Sequence, residues 1–156
     1  MAHAVVGGDP HKYVLPDVKV SGSPMDMSFS GLKTAAINIL HNAEQSGEEV
    51  DVASFCASFS RAVSEILVPR TMEALKQSGC KKLAVAGGVA ANAYIRMEFE
   101  KQTEALSAKL YLPPRSLCGD NAAMIGAQGY YEYLAGHLAD QSLNAYATMP
   151  INDLQI

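Results

Sequence analysis

Between residues 82 and 114 the sequence changes its hydrophobic period twice, and that change limits the folds open to the chain. Leu83-Ala84-Val85-Ala86 is a short apolar run that stops at Gly87-Gly88. A helical pattern then runs from Ala90 to Leu106, after which Lys109-Leu110-Tyr111-Leu112 alternates and ends at Pro113-Pro114. Strand, glycine turn, helix and strand in that order form a βαβ unit. Because a helix joins the two strands, they are expected to run parallel. The fold class is therefore α/β, helix-rich with a short, mainly parallel sheet.

The flanking segments are helical. Leu32, Ala35, Ala36, Ile39 and Leu40 recur at three- and four-residue spacing, predicting a helix from Ser30-Gly31 to about Ala43, with Ser28 or Ser30 as its cap. Ser46 and Glu49 have the spacing of a capping box and predict a second helix. Its stripe is Val52, Phe55, Cys56, Phe59, Val63, Ile66 and Leu67; Pro69 is expected to kink or break it before Gly79 stops it. Asp120 is placed to open a last helix, Asn121 to Leu134, closed by Gly136. Residues 1–30, rich in Gly, Pro, Ser and Asp, read as an irregular lead-in in which only Lys12 to Leu15 is strand-like. Residues 31–136 form the body, and 137–156 a polar tail.

Composition narrows the function classes. With 156 residues, 49% apolar and 18% charged, the chain suits a single globular domain. Its formal net charge of -4 gives no overall footprint for a polyanion, so a nucleic-acid substrate would need attraction from other surfaces. Cys56, Cys80 and Cys118 form no CxxC pair and suggest neither a disulfide framework nor a zinc knuckle. No uninterrupted apolar run is long enough for a membrane span and no signal-peptide pattern opens the chain, so a soluble cytoplasmic protein is expected.

Three segments carry candidate chemistry. In Val85-Ala86-Gly87-Gly88-Val89-Ala90-Ala91-Asn92, glycines between strand and helix let backbone approach a ligand, and the following N–H groups can face an anion. Gly87 and Gly88 equally serve as a tight connection. Asn92 is placed to read hydroxyls or a base edge, or to cap. In the second segment, Cys118-Gly119-Asp120-Asn121, Asp120 is an N-cap or, with partners, a metal ligand. Cys118 reads as a small core residue. In the third, Met27-Ser28-Phe29-Ser30-Gly31-Leu32-Lys33-Thr34, Lys33 sits against the helix dipole, either solvated or facing an anion. The histidines at 3, 11, 41 and 137 supply no ligand pair at helical spacing. Lys81-Lys82 is too short for a nucleic-acid patch, and Tyr130, Tyr131 and Tyr133 read as packing.

In order, these segments resemble the TsaD/Gcp family, whose archaeal and eukaryotic members are the catalytic subunit of the KEOPS complex. The family pattern is F-S-F-S-G-L-K-T, then A-G-G-V-[SA]-A-N, then C-T-D-N-[GA]-A-M-I-[AG]; the matches start at Met27, Ala86 and Cys118. The resemblance implies an ASKHA fold (actin, Hsp70 and sugar kinase-like), with residues 31–136 part of its second lobe. It implies a reaction in which threonylcarbamoyl-adenylate donates to an anticodon-adjacent adenosine of tRNA and AMP leaves. Asn92, Gly87 and Gly88 match the adenylate site, and Asp120 a ligand of one divalent metal, iron or zinc; no catalytic residue is assigned. A paralogous subunit and an ATPase subunit are the implied partners, with a homodimer as a further expectation.

The family's His-x-x-x-His metal pair and its S-G-G-H-T segment lie upstream of the first motif and are absent here, Gly119 stands for the usual Thr, and Met27 for Phe. The chain thus resembles a C-terminal portion, expected to bind no metal and to transfer nothing alone. The alternatives are a non-catalytic dimerisation module like the TsaD paralogue, or the sialoglycoprotein metallopeptidase the family was once taken for. No HExxH supports the latter.

Overall fold

A computed structural model describes residues 7–16, 22, 24–145 and 147–148. Its elements are α1 (Ser30–Ser46), α2 (Val52–Ser78), β1 (Lys82–Ala84), a 3₁₀ turn (Gly88–Ala91), α3 (Ala93–Ala105), β2 (Lys109–Tyr111), a second 3₁₀ turn (Arg115–Leu117) and α4 (Ala122–Ala135). The chain divides into two compact units, one ending at Asp120 and one beginning at Asn121. His3 and Pro150 lie outside the described residues, as does all of the tail beyond 148.

The βαβ unit is present, and its strands are parallel, Leu83 opposite Leu110. Both strands are shorter than their apolar runs, although Val85 N still donates to Tyr111 O (3.0 Å). Ala90 does not open α3. The chain first makes the 3₁₀ turn, and Asn92 then caps α3, its Oδ1 accepting from Tyr94 N and Ile95 N.

Helix α2 is the spine of the first unit. Asp51 rather than the Ser46/Glu49 box starts it: Asp51 accepts from Ser54 N, while Ser46 Oγ turns back to Ala43 O. Pro69 does not break it, and the reason is local. Pro69 and Glu65, whose carbonyl loses its partner, are both on the exposed side, where water can solvate that carbonyl. The next two carbonyls gain side-chain donors, Arg70 Nη1 to Ile66 O (2.8 Å) and Thr71 Oγ1 to Leu67 O (2.9 Å). Among the described residues α2 is the one helix long and apolar enough to cross a membrane by length and composition. Here it is a core helix. Ala62 and Ile66 pack with Leu32 and Ala36 of α1, and Val68 and Met72 with Ile95 and Phe99 of α3.

Residues 9–15 hold no strand, in contrast to the expectation from Lys12 to Leu15. They are nevertheless docked along α2. Asp9 N donates to Ser54 Oγ (3.0 Å), Tyr13 N to Ser58 Oγ (3.2 Å) and Arg61 Nε to Pro10 O (2.8 Å). Leu15 enters the core beside Leu32. Gly8 comes so close that a Cβ there would lie 2.2 Å from Ala53 O. Ser54 and Ser58 of α2 are buried where they anchor this segment.

At the start of α1, Phe29 occupies the cap position without a side-chain cap bond; Ser28 and Ser30 bond each other (3.0 Å). Helix α4 is capped by Asn121, which accepts from Met124 N, rather than by Asp120. None of its residues is buried.

Candidate functional site

Gly87 follows β1 with φ of 87°, a conformation that only glycine adopts without strain. Neither Gly87 nor Gly88 has any atom within 4 Å of where a Cβ would stand, so the turn is open on its outer side. A hollow of about 480 Å³ lies against it, lined by Gly88 and Asn92 together with Lys33, Phe55, Cys56 and Ser60. Packing of α1 on α2 thus brings the first and second motifs to one surface. A larger cleft, about 840 Å³, adjoins β1 and also has Lys33 in its wall.

The Asn92 amide is oriented by its surroundings. Oδ1 is occupied by the two α3 amides at 2.9 and 3.2 Å, and Nδ2 donates to Ser60 Oγ at 3.0 Å. An amide nitrogen carries two hydrogens, so Asn92 keeps one donor for a ligand and no free acceptor. The capping reading of Asn92 is realised, and it restricts any contact to an acceptor such as a hydroxyl, a ring nitrogen or a phosphate oxygen.

Sequence reasoning passed over Arg96, one turn beyond Asn92. Its Nη1 donates to Ala90 O (2.9 Å) in the glycine turn and to Pro113 O (3.0 Å) after β2. One guanidinium therefore holds together the loops that carry the second and third motifs. Cys118 is buried beside it, its thiol donating to Pro114 O (3.5 Å), so this cysteine is a core residue. No spacing rule marks Arg96, because its acceptors are backbone carbonyls 6 and 17 residues away.

Asp120 is exposed, and with Asn121 taking the cap its carboxylate is not spent on α4. Among the described residues no three His, Cys, Asp or Glu side chains converge. One carboxylate does not make a metal site. The described residues do not by themselves fit a resident metal.

The sequence model of the TsaD family, described as tRNA N6-adenosine threonylcarbamoyltransferase, matches residues 2–127. The chain belongs to the TsaD family. It is 44% identical over 145 residues to the tRNA N6-adenosine threonylcarbamoyltransferase of Moorella thermoacetica, covering 93% of this chain and 42% of that protein. The enzyme of the same name from Staphylococcus saprophyticus is 44% identical over 92% of the chain and 42% of its own length. That from Streptococcus equi subsp. zooepidemicus is 47% identical over 85% and 39%. The chain spans about two fifths of the length of these TsaD relatives. Its helix-rich α/β architecture with a short parallel sheet is that of part of an ASKHA-type lobe, as the motifs imply.

Proposed function

We propose that this TsaD-family chain carries the adenylate-facing part of a tRNA threonylcarbamoyladenosine transferase. The observation behind this reading is that two motifs distant in sequence, around Lys33 and around Gly87 to Asn92, line one hollow in a chain of this family. In the reaction, N6 of a tRNA adenosine bonds to the carbamoyl carbon, the bond from that carbon to the adenylate oxygen breaks, N6 loses a proton and AMP departs. The open backbone at Gly87 and Gly88 lets the adenylate lie close to the chain. Asn92 directs its remaining N–H to an acceptor on the nucleotide, Lys33 offsets anionic charge at the mouth, and Arg96 keeps the turn at a fixed distance from the loop before Asp120. Asp120 is the carboxylate this chain would add to an iron or zinc site completed by other residues. tRNA, a paralogous subunit and an ATPase subunit are the partners of the complete enzyme, in the cytoplasm.

The test is a chimera in which residues 9–136 replace the matched region of the Moorella thermoacetica relative, assayed for modified adenosine in tRNA and for AMP. The expected result is transfer, lowered by about tenfold in Asn92→Ala, the worth of one hydrogen bond of about 1.4 kcal/mol. A folded chimera without transfer overturns the reading, and unchanged activity in Asn92→Ala removes that residue's role.

A further inference from the structure

We infer that the polar groove between α2 and α3 receives a helix of another protein, one carrying two arginine or lysine side chains about two turns apart on an otherwise apolar face. The groove encloses about 520 Å³ and shares no lining residue with the hollow at the glycine turn or the cleft beside β1. Its walls repeat at helical spacing, with Glu65, Pro69 and Glu73 on α2 and Tyr94, Glu98 and Gln102 on α3. Val68 and Met72, buried members of the second core cluster, form its floor. Two helices packed side by side leave such a furrow, and side chains of a third helix fill it.

The charge on these walls sets the chemistry of the partner. The carboxylates of Glu65, Glu73 and Glu98 outnumber the single ammonium of Lys76. Glu65 pairs with Arg61 at 2.8 Å and Glu73 accepts from Gln77, whereas Glu98 is half-buried with no ion pair or hydrogen bond among the described residues. A cation relieves the cost of a half-buried carboxylate left unpaired. Burial, and then the charges of Glu98 and Glu65, raise the Tyr94 hydroxyl above its ordinary value although Arg61 opposes them, so the negative field spans the groove. The backbone adds to it. Pro69 has no N–H, so the Glu65 carbonyl lacks its helical donor and stands as a further acceptor on the same wall.

Spacing selects the occupant. Glu65 and Glu73 lie two turns apart on α2, about 12 Å along its axis. Among the described residues no three acidic, histidine or cysteine side chains converge on a metal ion. Cations at the matching spacing on one face of a helix meet the carboxylates, with an apolar side chain between them over Pro69 and the Tyr94 ring. Lys76, nearly a turn beyond Glu73, confines the cations to the stretch from Glu65 to Glu73. The acidic walls repel nucleic acid. A second copy is a poor source, because in the described helices no two Lys or Arg residues stand seven or eight apart. This inference is independent of the transfer reaction.

The experiment titrates the isotope-labelled full chain with a synthetic helical peptide, leucine-faced with two arginines about two turns apart, and follows the amides of the chain by NMR. Expected are shifts confined to residues 64–76 and 94–102, and no binding by the same peptide with glutamate in place of arginine. Glu65→Gln, Glu73→Gln and Glu98→Gln combined should weaken binding at least about tenfold with helical circular dichroism unchanged. Pro69→Ala, which returns an amide donor to the Glu65 carbonyl, should weaken it about threefold. Absence of binding overturns the inference, as do shifts lying elsewhere or unchanged affinity in either variant. Spermidine binding these residues as tightly as the peptide overturns it in favour of a free polyamine. Shifts there that track sedimentation of the chain alone as a dimer overturn it in favour of a second copy.

Discussion

Helices α2 and α4 invert the usual relation between composition and burial. Helix α4, Ala122–Ala135, has Glu132 as its one charged residue, yet it buries nothing; Ile125 is 76% exposed and Tyr131 66%. Helix α2 buries four serines, and Ser58 is wholly inaccessible. What separates them is partners. Ser54 and Ser58 face the backbone of residues 9–13 and Ser60 the amide of Asn92, so these three hydroxyls are satisfied and their burial costs little. The apolar side chains of α4 meet no comparable surface in the unit that begins at Asn121. Its own unit leaves the apolar surface of this helix uncovered.

The largest test of that contrast is a pair of truncations. Phe99 is 1% exposed within the second core cluster, and Phe99→Ala should cost about 3–5 kcal/mol, a large part of the total stability of a domain. Ile125→Ala should cost under about 0.5 kcal/mol. Denaturant midpoints of both variants measure the difference. Comparable losses in the two would show that α4 is packed in solution and would erase the contrast.

A middle-sized effect concerns Asn92, which joins α3 to α2. Asn92→Ala removes the cap and leaves Ser60 without its donor, at a cost of about 1–2 kcal/mol. Asn92→Asp keeps the oxygen that the Tyr94 and Ile95 amides need and should recover most of it. Equal thermal midpoints for the two variants would mean that the cap is not what Asn92 contributes. This residue also shows what was legible beforehand. The βαβ unit could be read because glycines and prolines punctuate it, and the α-helical stripes because packing preserves their period. Cap positions slipped by one or a few residues at Asp51, Asn92 and Asn121, since each stretch offers more than one capping residue and tertiary partners choose between them. Asp51 prevails over Ser46 because Lys12 and the Tyr13 hydroxyl hold it. Docking of residues 9–15 was invisible because its bonds join positions 38 to 51 apart. Of the site, the glycines, Asn92 and Asp120 were legible as types, whereas Arg96 and the meeting of Lys33 with Gly88 arise only from folding.

The smallest effect separates the two units by acid. In the first, a hydrogen bond from Lys12, then those from Ser54, hold the Asp51 carboxyl well below the usual carboxylate range. In the second, His137 and then Gln128 depress Glu132. A carboxylate depressed in the fold contributes stability that is fully present above its unfolded value, about pH 4, and that is lost as pH falls through the folded value. Both groups are open to solvent, so the contributions are small and salt weakens them. They differ in reach, since Lys12 and Asp51 tie together segments 39 residues apart while Glu132 and His137 close a turn of α4. The stability difference between the natural chain and Asp51→Asn should hold steady above about pH 5 and shrink on descending from about pH 4. The corresponding difference for Glu132→Gln should be smaller throughout, because α4 has little tertiary structure to lose. Urea midpoints measured across that range decide it. A difference for Asp51→Asn that stays constant down to about pH 3 would remove the ion pair from the forces that dock residues 9–15 on α2, leaving the serine hydroxyls and Arg61 to hold them.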